Sequence, residues 1–399
     1  MKIDSRKVLI AGGGIGGMSA ALALLRAGFD VEVYEQASEL REIGAGVQIS
    51  PNGSRVLQSL GVFDRLQTMS CTPLGKVIRH WKTGKAWPLF DLEKMALNKY
   101  GVSYLTVYRP DLLRVLTDAV RDINPNVLVL GARCEGVEQD GSNIWLRLHD
   151  GRLVRGDVLV GADGVHSLTR KSLFADGDPQ YTGLLAYRGT LPIERVPAQI
   201  SRTIGTNWVG PGGHVVHYFL QGGKILNFVG TREVPNWVTP GWRSEAATKE
   251  CLTEFAGWHS DVLAMIEQVP IFVKWALLDR PFLAHWSKGR ATLMGDACHP
   301  TLPSFAQGVN MAMEDGVVLA RCLQSFDDVQ LALSRYEELR MERTYRMVKA
   351  ATAFMPNFNH ACLAEPEVAE AFIERTWNSE AIDERYDWLF KYDADTISV

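Results

Sequence analysis

The chain has 399 residues, 46% of them hydrophobic and 22% charged, with a formal net charge of -4. That balance fits an ordinary globular protein of about two domains, and it excludes a disordered chain or a polybasic surface built for nucleic acid or membranes. Six cysteines without CxxC or ligand-like spacing argue against a disulfide framework or a zinc site, so no metal is expected and a cytoplasmic setting fits.

The opening MKIDSRKVLIAGGGIGG interrupts its short apolar run with glycines, and is neither a signal peptide nor a membrane span. A strand is predicted from Val8 to Ala11, a helix from Met18 to Ala27 stopped by Gly28, and a second strand from Val31 to Tyr34. Together they form a βαβ unit and imply a parallel sheet. Gly12, Gly14 and Gly17 make GxGxxG between strand and helix, and Glu35 follows the next strand about 20 residues on. Glycines let the backbone approach a pyrophosphate, the helix start favours its charge, and the carboxylate accepts ribose hydroxyls. A bound adenine dinucleotide follows. The acid disfavours NADP at this site but does not separate FAD from NAD.

In ASELREIGAGVQISPNG (37–53), Arg41 precedes a glycine-alanine-glycine loop that permits close approach to a flat ring or a sugar chain. Ser50 can cap a helix with Pro51 at its first position, ended near Gly61. In VYRPDLLRVL, Arg109 stands at a helix start, suited either to a cofactor oxygen or to a salt bridge. DVLVGADGVHSLTR and RATLMGDACHP each give a buried strand entering a glycine turn, as if returning to the first sheet. The intervening stretch, about 176 to 280, is rich in Trp, Tyr, Val, Pro and Gly and predicts an inserted antiparallel sheet. Within it, GHVVHYFLQG places His214, Val216 and Tyr218 on one strand face, with Val215, His217 and Phe219 on the other.

In GDACHPTLPSFAQGVNMAMED, a helix is predicted from near Gly308. Its positive end suits the anionic N1–C2=O edge of a reduced flavin, which nicotinamide lacks. Asp296 can bond a ribityl hydroxyl or cap the helix, His299 is assigned to structure, and Glu314 and Asp315 are expected to be solvated helix residues.

GGGIGG, DVLVGADG with Ser167 and Arg170, and GDACHP at these separations resemble the single-component, class A FAD-dependent aromatic hydroxylases with the para-hydroxybenzoate hydroxylase fold. RHWKTG, LAYRGTLP, HPTLPSFAQG and the tail RYDWLFKYD are similar to the branch of salicylate hydroxylases, 3-hydroxybenzoate 6-hydroxylases and 6-hydroxynicotinate 3-monooxygenases. Tyr108 before the arginine and Ser304 after Pro303 depart from that branch and bear on the exact substrate. The resemblance implies an α/β fold: a Rossmann-like FAD-binding domain (1–75, 100–175 and 281–365), an inserted, mainly antiparallel substrate domain (76–99 and 176–280), and a C-terminal helical segment (366–399).

By position, the family's FAD site falls on Gly12, Gly14, Ile15, Gly16, Glu35, Gln36, Arg41, Val47, Gln48, Arg109, Cys134, Asp163, Asp296, Gly308, Val309 and Asn310. NADH or NADPH then visits as a transient co-substrate, O2 reacts, and a flavin C4a-hydroperoxide hydroxylates a small phenolic or pyridine carboxylic acid, with carbon dioxide lost if the ipso carbon is attacked. His214 and Tyr218 fall on the family's catalytic pair. A histidine near its ordinary pKa of about 6.5 suits a base for the phenol. Arg188 either pairs a substrate carboxylate or braces two strands, and Pro303 borders the substrate. The partner is a small aromatic molecule, with no nucleic acid or membrane, and a homodimer is the simplest assembly. Rival readings are a hydroxylase of a bulkier quinolone, polyketide or purine ring, a non-catalytic flavin-binding regulator, and a flavin-free dehydrogenase.

Overall fold

The computed structural model describes residues 6–40, 45–236 and 242–399; Arg41 lies outside them. The strand Lys7–Ala11 is almost wholly apolar and sits inside a six-stranded sheet, paired in parallel with Asp30–Tyr34 on one side and Val158–Gly161 on the other. Burial on both faces accounts for its lack of alternation. Ala291–Leu293 extends the parallel set, and a two-residue antiparallel strand, Ser287–Lys288, finishes that edge. The first helix is longer than predicted, Ile15–Ala27, because it begins within the glycine motif itself.

Two local expectations change. The segment after the glycine-alanine-glycine loop is a strand, Gly46–Ile49, because its backbone pairs antiparallel with Leu105–Tyr108. Ser50 does stand at the N-cap of Pro51–Ser59, yet its hydroxyl donates to Asn52 Oδ1 at 2.6 Å and leaves the helix N–H groups uncapped.

The second sheet has eight strands and is antiparallel except where Gly75–His80 runs parallel to Ile204–Gly210. One face carries Tyr187, Trp208, Val215, Phe219 and Phe228, packed on the helices Thr248–Glu254 and Ser260–Gln268. His217 is buried on that face. The opposite face turns toward the first sheet and toward the C-terminal helices, whose Phe358, Tyr386 and Phe390 join one apolar cluster with Ile78 and Val209. Among the described residues, no helix is long and apolar enough to cross a membrane.

Glu314 and Asp315 overturn their expected solvation. Both are fully buried on the helix Gly308–Ser325. Arg340, itself fully buried, pairs Glu314 at 2.8 Å and Asp315 at 2.7 Å, while Arg343 adds a second bond to Glu314 at 2.9 Å. His299 Nε2 donates to Asp315 Oδ2 at 2.7 Å. Burial alone would raise the Asp315 pKa, but His299 and Arg340 outweigh it and hold the carboxyl below the usual range. Helical periodicity shows which residues share a face, but not that Arg340 crosses that face from another helix. Arg340→Met leaves two buried carboxylates short of a cation and is expected to cost about 3–5 kcal/mol. Urea unfolding followed by tryptophan fluorescence measures this, and an unchanged midpoint would show that the network carries no stability.

Candidate active site

The two sheets and the helix Gly308–Ser325 border a cavity of about 320 Å³. One wall is the nucleotide turn, Gly14, Ile15 and Gly16; a second is Gly46, Val47 and Gln48 with Arg109; a third is Met294 to Asp296 with Thr301, Pro303 and Ala306 to Val309. The sheet closes it with Arg188, His214, Val216, Tyr218, Val229 and Thr231. A smaller space of about 40 Å³ adjoins it and shares Gln48, His214, Val216, Pro303 and Ala306.

Three features fit a flavin dinucleotide. First, two helix starts face the large cavity, at Gly14 and Gln307, and neither is capped by a side chain. Their first-turn N–H groups are therefore donors suited to an anion. Second, the turn is cut to backbone thickness. Gly12 has φ +106°, and a Cβ there would lie 2.5 Å from Ala162 O, whereas a Cβ on Gly14 would meet nothing within 4 Å. Third, polar groups remain for a ligand. Thr231 Oγ1 lines the cavity with no hydrogen-bond partner among the described residues. Asp296 opens onto the cavity with protein on its other sides; that burial raises its pKa, partly offset by His299 and Arg109.

Other predicted residues lie beside the cavity or support it. Glu35 accepts Gly13 N at 2.8 Å and Ala37 N at 2.9 Å, so the acid shapes the turn and keeps lone pairs for a sugar. Asp163 is occupied by Ser167 Oγ at 2.5 Å and by Thr169 N and Oγ1 at 2.9 and 3.0 Å, which anchors the helix after the DG turn. Arg170 carries that turn to the GDACHP loop through Cys298 O at 3.2 Å. Asn310 braces Gln48 O and Ala306 O at 3.1 and 2.8 Å. Cys134 is buried near Asp163 and Glu35, and Gln36 is exposed. Of the sixteen residues expected around a cofactor, Gln36, Cys134, Asp163 and Asn310 do not line the cavity, nor do Gly12 and Glu35, which form its turn from behind.

On the sheet wall, Val209 pairs in register with His214 and Asn207 with Val216, so these four share the face toward the cavity. His214 Nδ1 meets Asn359 Oδ1 at 2.7 Å. With the amide oxygen as acceptor, Nδ1 carries the proton and Nε2 keeps the lone pair. Burial pushes the His214 pKa down to about 4, against the ordinary value assumed from sequence, and the Asn359 bond only partly offsets it. Burial raises the Tyr218 phenol, with Arg188 and Gln48 pulling it back. Tyr218 also accounts for Gly46, since a Cβ there would lie 2.5 Å from its ring; Gly44 lies outside the described residues. His217, on the other face, has neither ring nitrogen bonded among the described residues.

Asn359, Lys76, Tyr104 and Asn207 were not singled out from sequence. Asn359 lies 145 residues from His214, and a single asparagine in a helical tail carries no local signal. Lys76 does alternate with Ile78 and His80, but a strand lysine ordinarily marks the solvent side.

Comparison with known proteins agrees with this geometry. The family model for an FAD binding domain matches residues 5–186 and 241–351. The chain is 36% identical over 348 residues to 6-hydroxynicotinate 3-monooxygenase of Pseudomonas fluorescens, covering 86% of this chain and 90% of that one. It is 33% identical over 390 residues to 3-hydroxybenzoate 6-hydroxylase of Polaromonas naphthalenivorans, covering 96% and 95%. Klebsiella pneumoniae HpxO, solved with FAD and uric acid, superposes with a TM-score of 0.80 at 26% identity over 98% of this chain and 96% of that chain. With a family match over most of its length and relatives of this identity and coverage, the chain belongs to the FAD-dependent aromatic hydroxylases.

Proposed function

We propose that the protein uses FAD, NAD(P)H and O2 to hydroxylate a small hydroxylated aromatic or pyridine carboxylic acid. The observation that carries this reading is one cavity with different chemistry on its walls. Uncapped helix starts with Asp296 and Arg109 form one wall, and His214 with Tyr218 forms the other. The relatives named above act on 6-hydroxynicotinate and 3-hydroxybenzoate, each a single ring bearing a hydroxyl and a carboxylate.

In this reading the turn Gly14–Gly16 holds the pyrophosphate and Glu35 the adenosine ribose. Asp296 and Arg109 hold the ribityl chain, and Val47, Gln48, Gly308 and Val309 border the ring. Bound FAD supplies the redox and oxygen-transfer chemistry. The chain supplies placement, dryness and proton handling. Val216, Val229, Ile15 and Met294 give apolar walls that keep water from the reacting ring. His214, neutral at pH 7 and fixed by Asn359, accepts the phenol's hydrogen bond at Nε2. Moving the proton fully onto it means charging a buried imidazole, which is favourable only while the phenolate stays as its partner. Tyr218, held as the neutral phenol, donates.

Purified protein given FAD is expected to show the visible flavin band, and a colourless preparation after reconstitution would refute the cofactor. His214→Ala should lower the rate of NAD(P)H-coupled hydroxylation by about 10²–10⁴-fold while FAD stays bound; hydroxylation at the parent rate near neutral pH would remove His214 from the mechanism. Because the free-enzyme pKa of His214 is about 4, the base is already deprotonated at pH 6. The acid limb of kcat/KM that His214 governs should therefore lie near pH 4, and a limb at about 6.5 that vanishes in His214→Ala would contradict the buried state.

A further inference from the structure

We infer that Lys76 binds the carboxylate of the substrate, so that the ring lies between an ammonium at one end and the His214 imidazole at the other. This rests on the reading of an aromatic acid as substrate. Lys76 lies on the strand Gly75–His80 and pairs in register with Gly205 on the neighbouring strand. A Cβ on Gly205 would already touch the lysine stem at 3.4 Å, so the glycine leaves that stem room to lie along the sheet. The lysine lines the smaller cavity, which it shares with His214.

The ammonium there is poorly compensated. Nζ donates to Gln48 Oε1 at 2.8 Å, an oxygen that also accepts the Tyr104 hydroxyl at 2.7 Å. An ammonium has three donors, and the surrounding rings of Phe90, Phe358, Phe390 and Tyr386 offer no strong acceptor. Burial, with no neighbouring acid to oppose it, lowers its pKa to about 8. A charge drawn partly out of water without a counter-ion is costly, and an incoming anion reduces that cost at this half-buried lysine. The space of about 40 Å³ has room for roughly three waters, which is also enough for a carboxylate.

Position in the sheet separates Lys76 from the other cation at the site. The strand of Lys76 stands two places to one side of the His214 strand, and that of Arg188 two places to the other. Each strand is about 10 Å away across the sheet; along the strands His80 is the residue level with His214, so Lys76 lies four residues further on, while Arg188, level with Val216, lies two. Arg188 lies against Trp275, with Cζ 4.6 Å from the ring centroid, and lines only the larger cavity, where the cofactor walls converge. Lys76 instead lines the aromatic recess next to His214. A hydroxylated aromatic acid has the matching polarity: its phenol meets the imidazole and its carboxylate meets the lysine.

The test titrates the FAD-loaded protein calorimetrically with 3-hydroxybenzoate and 6-hydroxynicotinate, and with the two corresponding carboxamides, which keep the shape and remove the charge. The wild-type protein should bind at least one acid about 10-fold or more tightly than its amide. Lys76→Met should abolish that preference while changing the amide affinity little, and Lys76→Arg should restore part of it. With the preferred acid, Lys76→Met should raise KM far more than it lowers kcat, because the charge contact holds substrate and transition state alike. Equal binding of acid and amide by the wild-type protein overturns the inference, as does failure to bind either acid; neither result depends on a variant folding. An acid preference that survives in Lys76→Met but disappears in Arg188→Met also overturns it. NAD(P)H-coupled hydroxylation, scored on acids and amides alike, reports separately on the proposed function. Turnover of the amides with no acid preference would leave the hydroxylase reading standing and remove only Lys76.

Discussion

Two carboxylates buried beneath the cavity hold the cofactor side of the molecule together. Glu314 and Asp315 are adjacent on one helix and are neutralised from different directions. Arg340 and Arg343 come from the long helix Val329–Phe354, and His299 comes from the GDACHP loop. Asp315 also accepts Gly295 N at 3.0 Å. The loop that presents Asp296, the helix whose start faces the cavity and the long helix leading to the C-terminal helices therefore share one charge balance. Such a network gains little net stability over an apolar core, because desolvation offsets most of the Coulomb attraction. What it provides is alignment: a displaced loop would strand a buried charge, so the placement of Asp296 is closely specified.

The eight-stranded sheet solves a different problem by giving its two faces separate work. The outer face is an ordinary packed core. The inner face bears Lys76, Asn207, His214, Tyr218, Arg188 and Thr231, a density of polar side chains that a purely structural sheet would bury at a loss. Two of their atoms, Asn207 Oδ1 and Thr231 Oγ1, have no hydrogen-bond partner among the described residues. Unsatisfied buried polar atoms each cost about 1–3 kcal/mol, a cost that a ligand entering the cavity removes by completing the bonding. Local departures from stable design of this kind mark functional surface.

How much could be read from sequence follows from how local each signal is. The glycine turn with Glu35, the helix start at Gly308 and the alternation of His214, Val216 and Tyr218 are short-range patterns, and they placed two sheets and one strand face. Boundaries moved by up to three residues, as at the start of the first helix, and a loop became the strand Gly46–Ile49, because its pairing partner lies in a segment beginning near Leu105. Glu314, Asp315 and Asn359 were illegible for the same reason, since their partners are far along the chain and no periodicity reveals a crossing arginine or a reaching amide. Asp163 shows the converse. A motif acid that resemblance places at the cofactor is, in the folded chain, consumed by Ser167 and Thr169; motif position alone does not say which way a carboxylate points.

His214 shows why residue type and even strand face still leave the chemistry undetermined. An exposed imidazole would titrate near 6.5 and serve as a base by ordinary proton affinity. Sealed against Phe358, 5.2 Å between centroids, it loses that affinity and gains a fixed tautomer. Its usefulness then depends on what enters the cavity. An arriving phenol brings both the proton and, once ionised, the counter-charge that makes accepting it affordable. A water molecule brings the same proton with a far less stable anion. The burial that weakens the base in the free protein therefore makes it selective for an acidic ring hydroxyl, a property that sequence alone could not show.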